Sequence, residues 1–300
     1  MSPSLFASNS AVGARDLEKL PVSEIRTEQL SPAGFHSTEF QIRFGDHRYE
    51  YDPTTETTTF KMPGKVHQEG VRVATALISQ SLEAKKEQLR VQPNGVGKAF
   101  LDGIRPSGSI SLKLINGCYK VPDQSFADGN STVQPSVIVL VASSTQTWDD
   151  VQDEAEDYII GTTGLVRAVI TVKLAVVEGC NKLQARGGMR IGLIRPMFSN
   201  GFFTTSLEFD ELIQGSDSLP RDHNGDGNTI DAQAMTLDLA DFANPDNHAH
   251  ISALNEKIEI PVSKFQGLMR ELEAICCQQR EFEFPPLPDG VIPMKQRQAA

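Results

Sequence analysis

The sequence has few cysteines and no apolar run long enough to cross a bilayer. Four cysteines occur in 300 residues, and none has the spacing of a zinc site. Cys276 and Cys277 are adjacent and cannot easily form a disulfide with each other, so we expect a reduced, cytoplasmic or nuclear protein. The longest apolar stretches, 136–142 and 166–177, are too short to span a membrane. No basic segment followed by an apolar one marks a secretion signal, so we expect neither secretion nor a membrane partner.

Basic residues are also scarce relative to acidic ones. The chain has 28 Lys and Arg against 39 Asp and Glu, which gives a formal net charge of −11. Nucleic-acid binding relies on cationic side chains that neutralise phosphates. The charge balance therefore disfavours a nucleic-acid partner and leaves a protein partner open. The basic residues between 65 and 90 and between 186 and 195 are interpreted as solvated surface charge.

The composition excludes global disorder. With 39% hydrophobic and 22% charged residues, the chain can bury a substantial core, as one large domain or as a core with insertions. No internal repeat or low-complexity tract is present. Residues 1–35 lack periodicity and predict a flexible arm with one short helical turn near Asp16–Leu20.

The next residues predict a β-meander followed by a long helix. Phe40–Phe44 and His47–Tyr51 alternate between apolar and polar residues, and a β-rich segment, 55–61, follows them. From Val66 to Leu89, apolar residues recur at helical spacing. That segment predicts the first long helix, with one buried face.

Three strands are predicted after this helix. Ser109–Ile115 alternates as a strand, and Cys118–Phe126 can form a second strand that ends in Pro122 and Asp123. Ser136–Ala142 is a continuous apolar run, which is typical of a central strand covered on both faces.

A second helix and a further central strand complete the pattern. Thr147 is suited to cap a helix that runs to Ile160 and stops at Gly161 and Gly164. Val166–Ala175 then supplies the strand. The order helix, three strands, helix, strand predicts an α/β fold with a mixed central sheet flanked by helices.

The C-terminal third is less regular. Pro196 indicates a loop, Thr204–Leu212 and Lys257–Val262 predict strands, and Ser263–Gln279 predicts a closing helix. Gln214–His250 is polar, acidic and loop-like. We therefore divide the chain into a flexible arm at 1–35, a core with its β-meander at 36–180, a core extension at 181–213, an acidic loop insertion at 214–250, a closing strand and helix at 251–283, and a flexible tail at 284–300.

Three segments in the middle third to half of the chain resemble a known nuclease core. They are Met62–Glu69 at the start of the long helix, Val121–Phe126, and Pro135–Ser144 with the helix and strand that follow it. In order and spacing they resemble the PD-(D/E)xK superfamily, in particular a small restriction-endonuclease branch and its fungal relatives. The resemblance implies a restriction-endonuclease-like core, here with an N-terminal β-meander and a C-terminal insertion.

The resemblance also implies a magnesium-dependent site that cleaves phosphodiesters. Two carboxylates hold the cation, which activates water and neutralises the developing charge. By resemblance, Asp123 is the first carboxylate and the Mg²⁺ ligand. The second carboxylate should fall at Leu140, and the basic residue at Ala142. Both positions are apolar here, so we expect the catalytic motif to be degenerate.

A few other residues are candidates to replace the missing groups. His67 and Glu69 lie at the start of the long helix, and Lys120 and Lys173 lie on or beside the core strands. The helix that begins at Trp148 has six acidic residues and no Lys or Arg, so it would repel phosphate. The alternative interpretations are structural. A Pro-Asp pair is typical of a turn, His67 suits capping or packing, and Glu69 suits the first turn of a helix.

A second motif lies in the acidic insertion. Oxygen-bearing side chains alternate and a glycine follows, as in the first half of an EF-hand calcium loop; these residues are Asp222, Asn224, Asp226 and Asn228. The twelfth position is Gln233 instead of a bidentate Glu, so we expect weak Ca²⁺ binding or none. The alternative is a plain turn rich in Asx residues.

Three hypotheses follow. We favour a nuclease-like protein that no longer hydrolyses and acts as a binding or interaction module. The second hypothesis is a Mg²⁺-dependent DNA endonuclease whose rearranged site uses Asp123, an acid such as Glu69 or one from the following helix, and Lys120 or Lys173. The third is a structural protein that binds Ca²⁺ through residues 222–233.

Overall fold

The computed structural model describes residues 25–44, 48–61, 64–90, 95–129, 134–142, 146–174, 188–213 and 233–281. The helices of these ranges are α1 (Pro32–Phe35), α2 (Thr38–Phe44), α3 (Lys65–Leu89), α4 (Val96–Gly103), α5 (Trp148–Gly161), α6 (Pro245–Ser252) and α7 (Val262–Glu281), with a 3-10 turn at Leu239–Phe242. The strands are β1 (Ile25–Gln29), β2 (Tyr49–Asp52), β3 (Thr57–Lys61), β4 (Ile104–Pro106), β5 (Leu112–Lys113), β6 (Tyr119–Lys120), β7 (Gln124–Asp128), β8 (Val137–Ala142), β9 (Ala168–Leu174), β10 (Met189–Ser199), β11 (Phe202–Ile213), β12 (Ala234–Asp238) and β13 (Lys257–Pro261).

A six-stranded mixed sheet forms the centre of an α/β fold, which confirms the predicted fold class. Its strand order is β11-β10-β9-β8-β7-β4. β8 and β9 are parallel, and the other described pairs are antiparallel. Every residue of β8 is buried, as the continuous apolar run predicts for a strand covered on both faces.

Local capping explains where α5 begins. Thr147 accepts a hydrogen bond from the backbone N–H of Asp150, and the Asp150 carboxylate accepts one from the Thr147 N–H. This reciprocal capping box satisfies two backbone donors at the helix start. The helix ends at Gly161, and Gly164 follows with a positive φ of 78°, so both boundaries agree with the prediction.

The N-terminal sheet differs from the predicted meander. Its strand order is β1-β3-β2-β6-β5. The first of these strands, β1, lies inside the segment that was predicted to be a flexible arm. The prediction of a strand at Phe40–Phe44 is wrong, because these residues belong to α2. Phe40 is buried there, whereas Ile42 is 83% exposed. Phe40 and Ile42 therefore do not share a buried face, as they would in a strand. Phe40 packs beside Phe35.

The two predicted strands before β8 are shorter than expected. Within Ser109–Ile115, only Leu112–Lys113 is a strand, and it pairs in the N-terminal sheet. Cys118–Phe126 is divided between β6 and β7, and these belong to different sheets. The central sheet takes β4 as its edge strand, at a position that was not predicted as a strand.

The second half of the chain contributes more to the core than predicted. Residues 234–250 were assigned to a loop, but they form β12, the 3-10 turn and the start of α6. Met235, Leu237 and Phe242 are fully buried in the large core cluster, and burial of this apolar surface stabilises the segment. Pro196 was predicted in a loop and lies within β10. Residues 214–232 and the predicted turn at Asp16–Leu20 lie outside the described residues.

α3 and α5 cover opposite faces of the central sheet. The core cluster on one face includes residues of α3, α7 and β13, whereas Leu140 on the other face packs with residues of α5. In the described ranges, none of the helices is long and apolar enough to cross a membrane.

Candidate functional site

Asp123 lies at the junction of the two sheets, immediately before β7. It was predicted at the end of a strand, but β6 ends at Lys120 and β7 begins at Gln124. Because Gln124 pairs with Val139, Asp123 lies beside the last residues of β8. The backbone N–H of Val141 donates to Asp123 Oδ2 over 2.7 Å. This backbone contact fixes the carboxylate at the edge of β7 and β8.

Two cationic or polar side chains converge on the other oxygen of Asp123. Arg48 Nη1 donates to Asp123 Oδ1 over 2.6 Å, and His67 Nε2 lies 2.8 Å from the same oxygen. An ionised carboxylate can only accept, so His67 Nε2 must carry the proton of this hydrogen bond. The structure thus brings together two of the predicted site residues, Asp123 and His67, around a third residue that was not predicted.

The second acidic group at this position is Glu154. Arg48 Nη2 donates to Glu154 Oε1 over 2.6 Å, and Lys61 Nζ lies 3.2 Å from the same oxygen. The side chain of Glu154 is 8% exposed, and that of Asp123 is 3% exposed. Arg48 therefore bridges two buried carboxylates through the two arms of its guanidinium group.

An outer row of ion pairs extends the cluster toward solvent. Lys61 Nζ lies 2.5 Å from Glu50 Oε1, and Lys120 Nζ lies 2.5 Å from Asp157 Oδ2 and 3.9 Å from Glu50 Oε1. Burial alone would lower the pKa of Lys120, but Glu50 and Asp157 outweigh it and raise that pKa. Lys120 is therefore a charged member of this outer row, and it is linked to Arg48 through Glu50, Lys61 and Glu154.

Both buried carboxylates are held in their ionised form. Burial alone would raise the pKa of Asp123, but Arg48, the His67 hydrogen bond and the Val141 N–H together lower it. Burial and the charge of Asp123 act to raise the pKa of Glu154, and Arg48 and Lys61 outweigh them. Burial would lower the pKa of Arg48, yet its two carboxylates raise it above the ordinary value. Asp123, Glu154 and Arg48 are thus all charged near neutral pH.

The predicted site residue Glu69 and the candidate Lys173 contact groups other than Asp123. Glu69 Oε1 accepts from Arg72 Nε over 2.7 Å, one helical turn along α3. Lys173 Nζ donates to the backbone carbonyl of Gln146, at the loop that leads into α5. Neither contact directs the side chain to Asp123.

The two positions that should carry the missing catalytic groups are buried in the core. Leu140 and Ala142 are each 2% exposed. Leu140 packs in a cluster with Ala155, Tyr158 and Ile159 of α5. These residues are components of a packed interior, where an unpaired charge would be costly.

The side chains of this cluster do not fit a magnesium ion. Magnesium needs several oxygen ligands in near-octahedral geometry. Both oxygens of Asp123 already accept hydrogen bonds, and Glu154 Oε1 is shared between Arg48 and Lys61. Over the ranges that the structure describes, no group of three or more His, Cys, Asp or Glu side chains could hold a metal ion. The predicted calcium ligands, Asp222, Asn224, Asp226 and Asn228, lie outside those ranges.

Sequence reasoning missed Arg48 and did not single out Glu154. Arg48 directly precedes β2 and is 75 residues from Asp123 in the chain, so no local spacing connects the two. Glu154 carried a signal, because it occurs among the buried positions Val151, Ala155 and Tyr158 of an amphipathic helix. A carboxylate on the apolar face of a helix indicates a buried cationic partner.

No protein-family model matches the chain, and no curated protein sequence matches it.

Proposed function

We propose that this chain is a nuclease-like protein of the PD-(D/E)xK type that does not hydrolyse phosphodiesters and acts as an interaction module. The observation that carries the proposal is the position of Arg48. Its guanidinium group lies between Asp123 and Glu154, within 2.6 Å of each carboxylate. A fixed organic cation thus neutralises the two acids around which a metal-dependent site would be built.

The arrangement of the central sheet supports the family resemblance. The strands β4, β7, β8 and β9 are neighbours in the sheet in the order of the sequence, and α5 connects the parallel pair β8 and β9. A long helix precedes them. The order helix, three strands, helix, strand on which the resemblance depends thus occurs in the central sheet with β4 in place of the predicted strand Ser109–Ile115, part of which pairs in the N-terminal sheet. β7 overlaps the end of the predicted strand Cys118–Phe126.

The chemistry of a guanidinium group argues against hydrolysis at this position. A hard divalent cation accelerates phosphodiester cleavage because it lowers the pKa of a bound water and binds the phosphate oxygens directly. Arginine has no vacant coordination position and stays protonated in proteins. It can neutralise Asp123 and Glu154, but it cannot generate hydroxide. The apolar Leu140 and Ala142 add neither a metal ligand nor a base.

A rearranged nuclease is the rival function, and one observation favours it. Asp123 and Glu154 both approach one cationic group, so release of Arg48 would leave two carboxylates facing the same space. Such an enzyme would need Arg48 to leave a cluster in which it contacts both acids. Electrostatic attraction in a buried site opposes that movement.

A cleavage assay distinguishes the two functions. The full chain should not cut supercoiled plasmid or single-stranded DNA in Mg²⁺ or Mn²⁺ above the level of a matched Asp123→Ala preparation. Cleavage that requires the divalent ion and disappears in both Asp123→Ala and Glu154→Gln would overturn the proposal. Circular dichroism of each variant separates loss of activity from loss of folding.

A further inference from the structure

The β10–β11 hairpin forms one edge of the central sheet. Its two long strands are joined by Asn200 and Gly201, whose φ angles of 53° and 80° match the type I′ turn that suits a two-residue hairpin. Within the described part of the chain, no strand pairs with the outer side of β11. A strand edge of this length presents unpaired backbone N–H and C=O groups that can bind another extended segment.

The same hairpin carries most of the exposed apolar side chains. Nine large hydrophobic residues of the described chain are exposed, and five of them belong to β10 and β11: Met197, Phe198, Phe202, Leu207 and Leu212. Phe198 is 81% exposed and Phe202 is 74% exposed. A concentration of apolar residues on one surface element is typical of an interaction site.

Register places part of this apolar surface beside α5. Arg190 pairs with Leu212, Gly192 with Asp210, and Ile194 with Leu207. Alternate residues of a strand share a face, so Leu207 and Leu212 lie on the same side of the sheet as Ile194. An open cleft of about 320 Å³ lies on that side between α5 and the hairpin.

The wall of the cleft that α5 provides is acidic. The whole cleft is lined by Asp149, Gln152, Asp153 and Glu156 from α5, by Ile194 from β10, and by Thr205 and Leu207 from β11. Neither Asp153 nor Glu156 forms an ion pair with another described residue. The cleft therefore combines an apolar floor, an acidic wall and an adjacent unpaired strand edge.

We propose that this surface binds an extended segment of a partner protein in which Lys or Arg alternates with apolar residues. The segment pairs with β11 as an added strand. One row of its side chains then faces α5, where its cations meet Asp149, Asp153 and Glu156. The other features of the surface exclude different occupants. The charged side chains that line the cleft are all carboxylates, which would repel a nucleic acid. A second copy paired edge to edge would bring two acidic walls together.

The test uses the full chain and two labelled peptides. In one peptide Lys alternates with Val, and in the other Glu replaces Lys. Fluorescence anisotropy should show binding of the Lys peptide at low salt, at least about tenfold tighter than any binding of the Glu peptide, and weaker as salt screens the charges. The double variant Asp153→Lys/Glu156→Lys should weaken Lys-peptide binding by about tenfold or more. Glu83→Lys/Glu87→Lys, at two exposed positions of α3, changes the net charge by the same amount and is the control.

Hydrogen exchange then locates the binding. The Lys peptide should slow exchange of the β11 amides and leave β1, an edge strand of the N-terminal sheet, unchanged. The inference is wrong if the Lys peptide does not bind, or if the double variant binds it as well as the parent chain. It is also wrong if the outer amides of β11 are fully protected without peptide, or if sedimentation shows a dimer that buries β11.

This inference rests on the proposed interaction role, and the two fail in different ways. Divalent-dependent DNA cleavage that requires Asp123 would remove the proposed function whether or not the peptide binds. Absence of peptide binding in a chain that does not cleave DNA would remove only the assignment of the partner.

Discussion

At the scale of single residues, Arg48 is the side chain that connects the two buried carboxylates of the site. Placing two carboxylates and a guanidinium in the interior removes them from water, which is unfavourable unless the ions are well paired. Arg48 satisfies both Asp123 and Glu154 with contacts of 2.6 Å. Such a cluster contributes less to stability than its contacts suggest, but removal of one member leaves the others buried and unpaired.

Replacement of Arg48 tests this view. Arg48→Met keeps much of the apolar volume and removes the charge, so Asp123 and Glu154 lose their shared partner. We expect a loss of about 3–5 kcal/mol in the free energy of unfolding, measured by urea denaturation. Arg90→Met, at an exposed pair with Glu87, should change it by less than about 0.5 kcal/mol. Equal effects for the two variants would contradict the proposed role of Arg48.

Acid should destabilise the protein through the same two carboxylates. The folded-state pKa values of Asp123 and Glu154 are lowered below those of ordinary carboxyl groups. Their contribution is therefore present above about pH 4, where unfolded carboxyls are ionised, and is lost as the pH falls through the folded values. The urea midpoint should fall steeply in this range. The fall should be shallower in Asp123→Asn, whereas Asp246→Asn, at an exposed position, should follow the parent chain.

The residue scale also shows what the sequence could and could not predict about the site. Asp123, His67 and the apolar positions Leu140 and Ala142 could be chosen from motif spacing, because each lies in a segment with local order. Arg48 contacts Glu154 across 106 residues of sequence, and only the tertiary packing of α5 near the start of β2 brings them together. The position of Glu154 on the apolar face of α5 indicates a buried cationic partner, but nothing in the sequence identifies Arg48 as that partner, because pairing of distant charges leaves no periodic pattern.

At the scale of elements, the strongest patterns gave the best predictions. The continuous apolar runs of β8 and β9 and the helical periodicity of α3 reflect burial on known faces, and these elements occur where predicted. Short alternating segments were less informative. Phe40–Phe44 satisfies both a period of two and a spacing of four, so tertiary packing of Phe40 against the aromatic cluster decided the outcome.

The capping box of α5 gives a prediction at this scale. Thr147→Ala removes the acceptor for the Asp150 N–H at the start of the helix that carries Glu154. We expect a loss of about 1 kcal/mol in the free energy of unfolding, measured by urea denaturation. Ser252→Ala, an exposed position at the end of α6, should have little effect. If Thr147→Ala were as stable as the parent chain, the capping contact would not contribute.

At the scale of the whole molecule, one core cluster joins the central sheet to the last described segments. It contains Phe126 of β7, Phe242 of the 3-10 turn and Phe265 of α7. The rings of Phe126 and Phe242 meet edge to face with centroids 6.2 Å apart. The segment that was predicted as an acidic insertion is thus partly a structural component of the core.

Truncation should show this dependence. A chain that ends at residue 232 loses β12, β13, α6 and α7, and it exposes the apolar residues that they cover on α3 and the sheet. We expect it to bind the dye ANS and to unfold without a sharp urea transition. A chain that ends at Glu281 keeps every described element and serves as the control. Cooperative unfolding of the shorter chain, with no dye binding, would show that the last segments form a separate unit.

Because Arg48 bridges Asp123 and Glu154, the cation between these two carboxylates is part of the polypeptide and is not taken up from solution. A metal ion leaves its ligands when the protein is diluted, when a chelator is added or when the cell is short of that metal. The guanidinium group is attached to the polypeptide and is present in every molecule from synthesis onward. The charge balance at this junction of the two sheets therefore does not depend on metal availability.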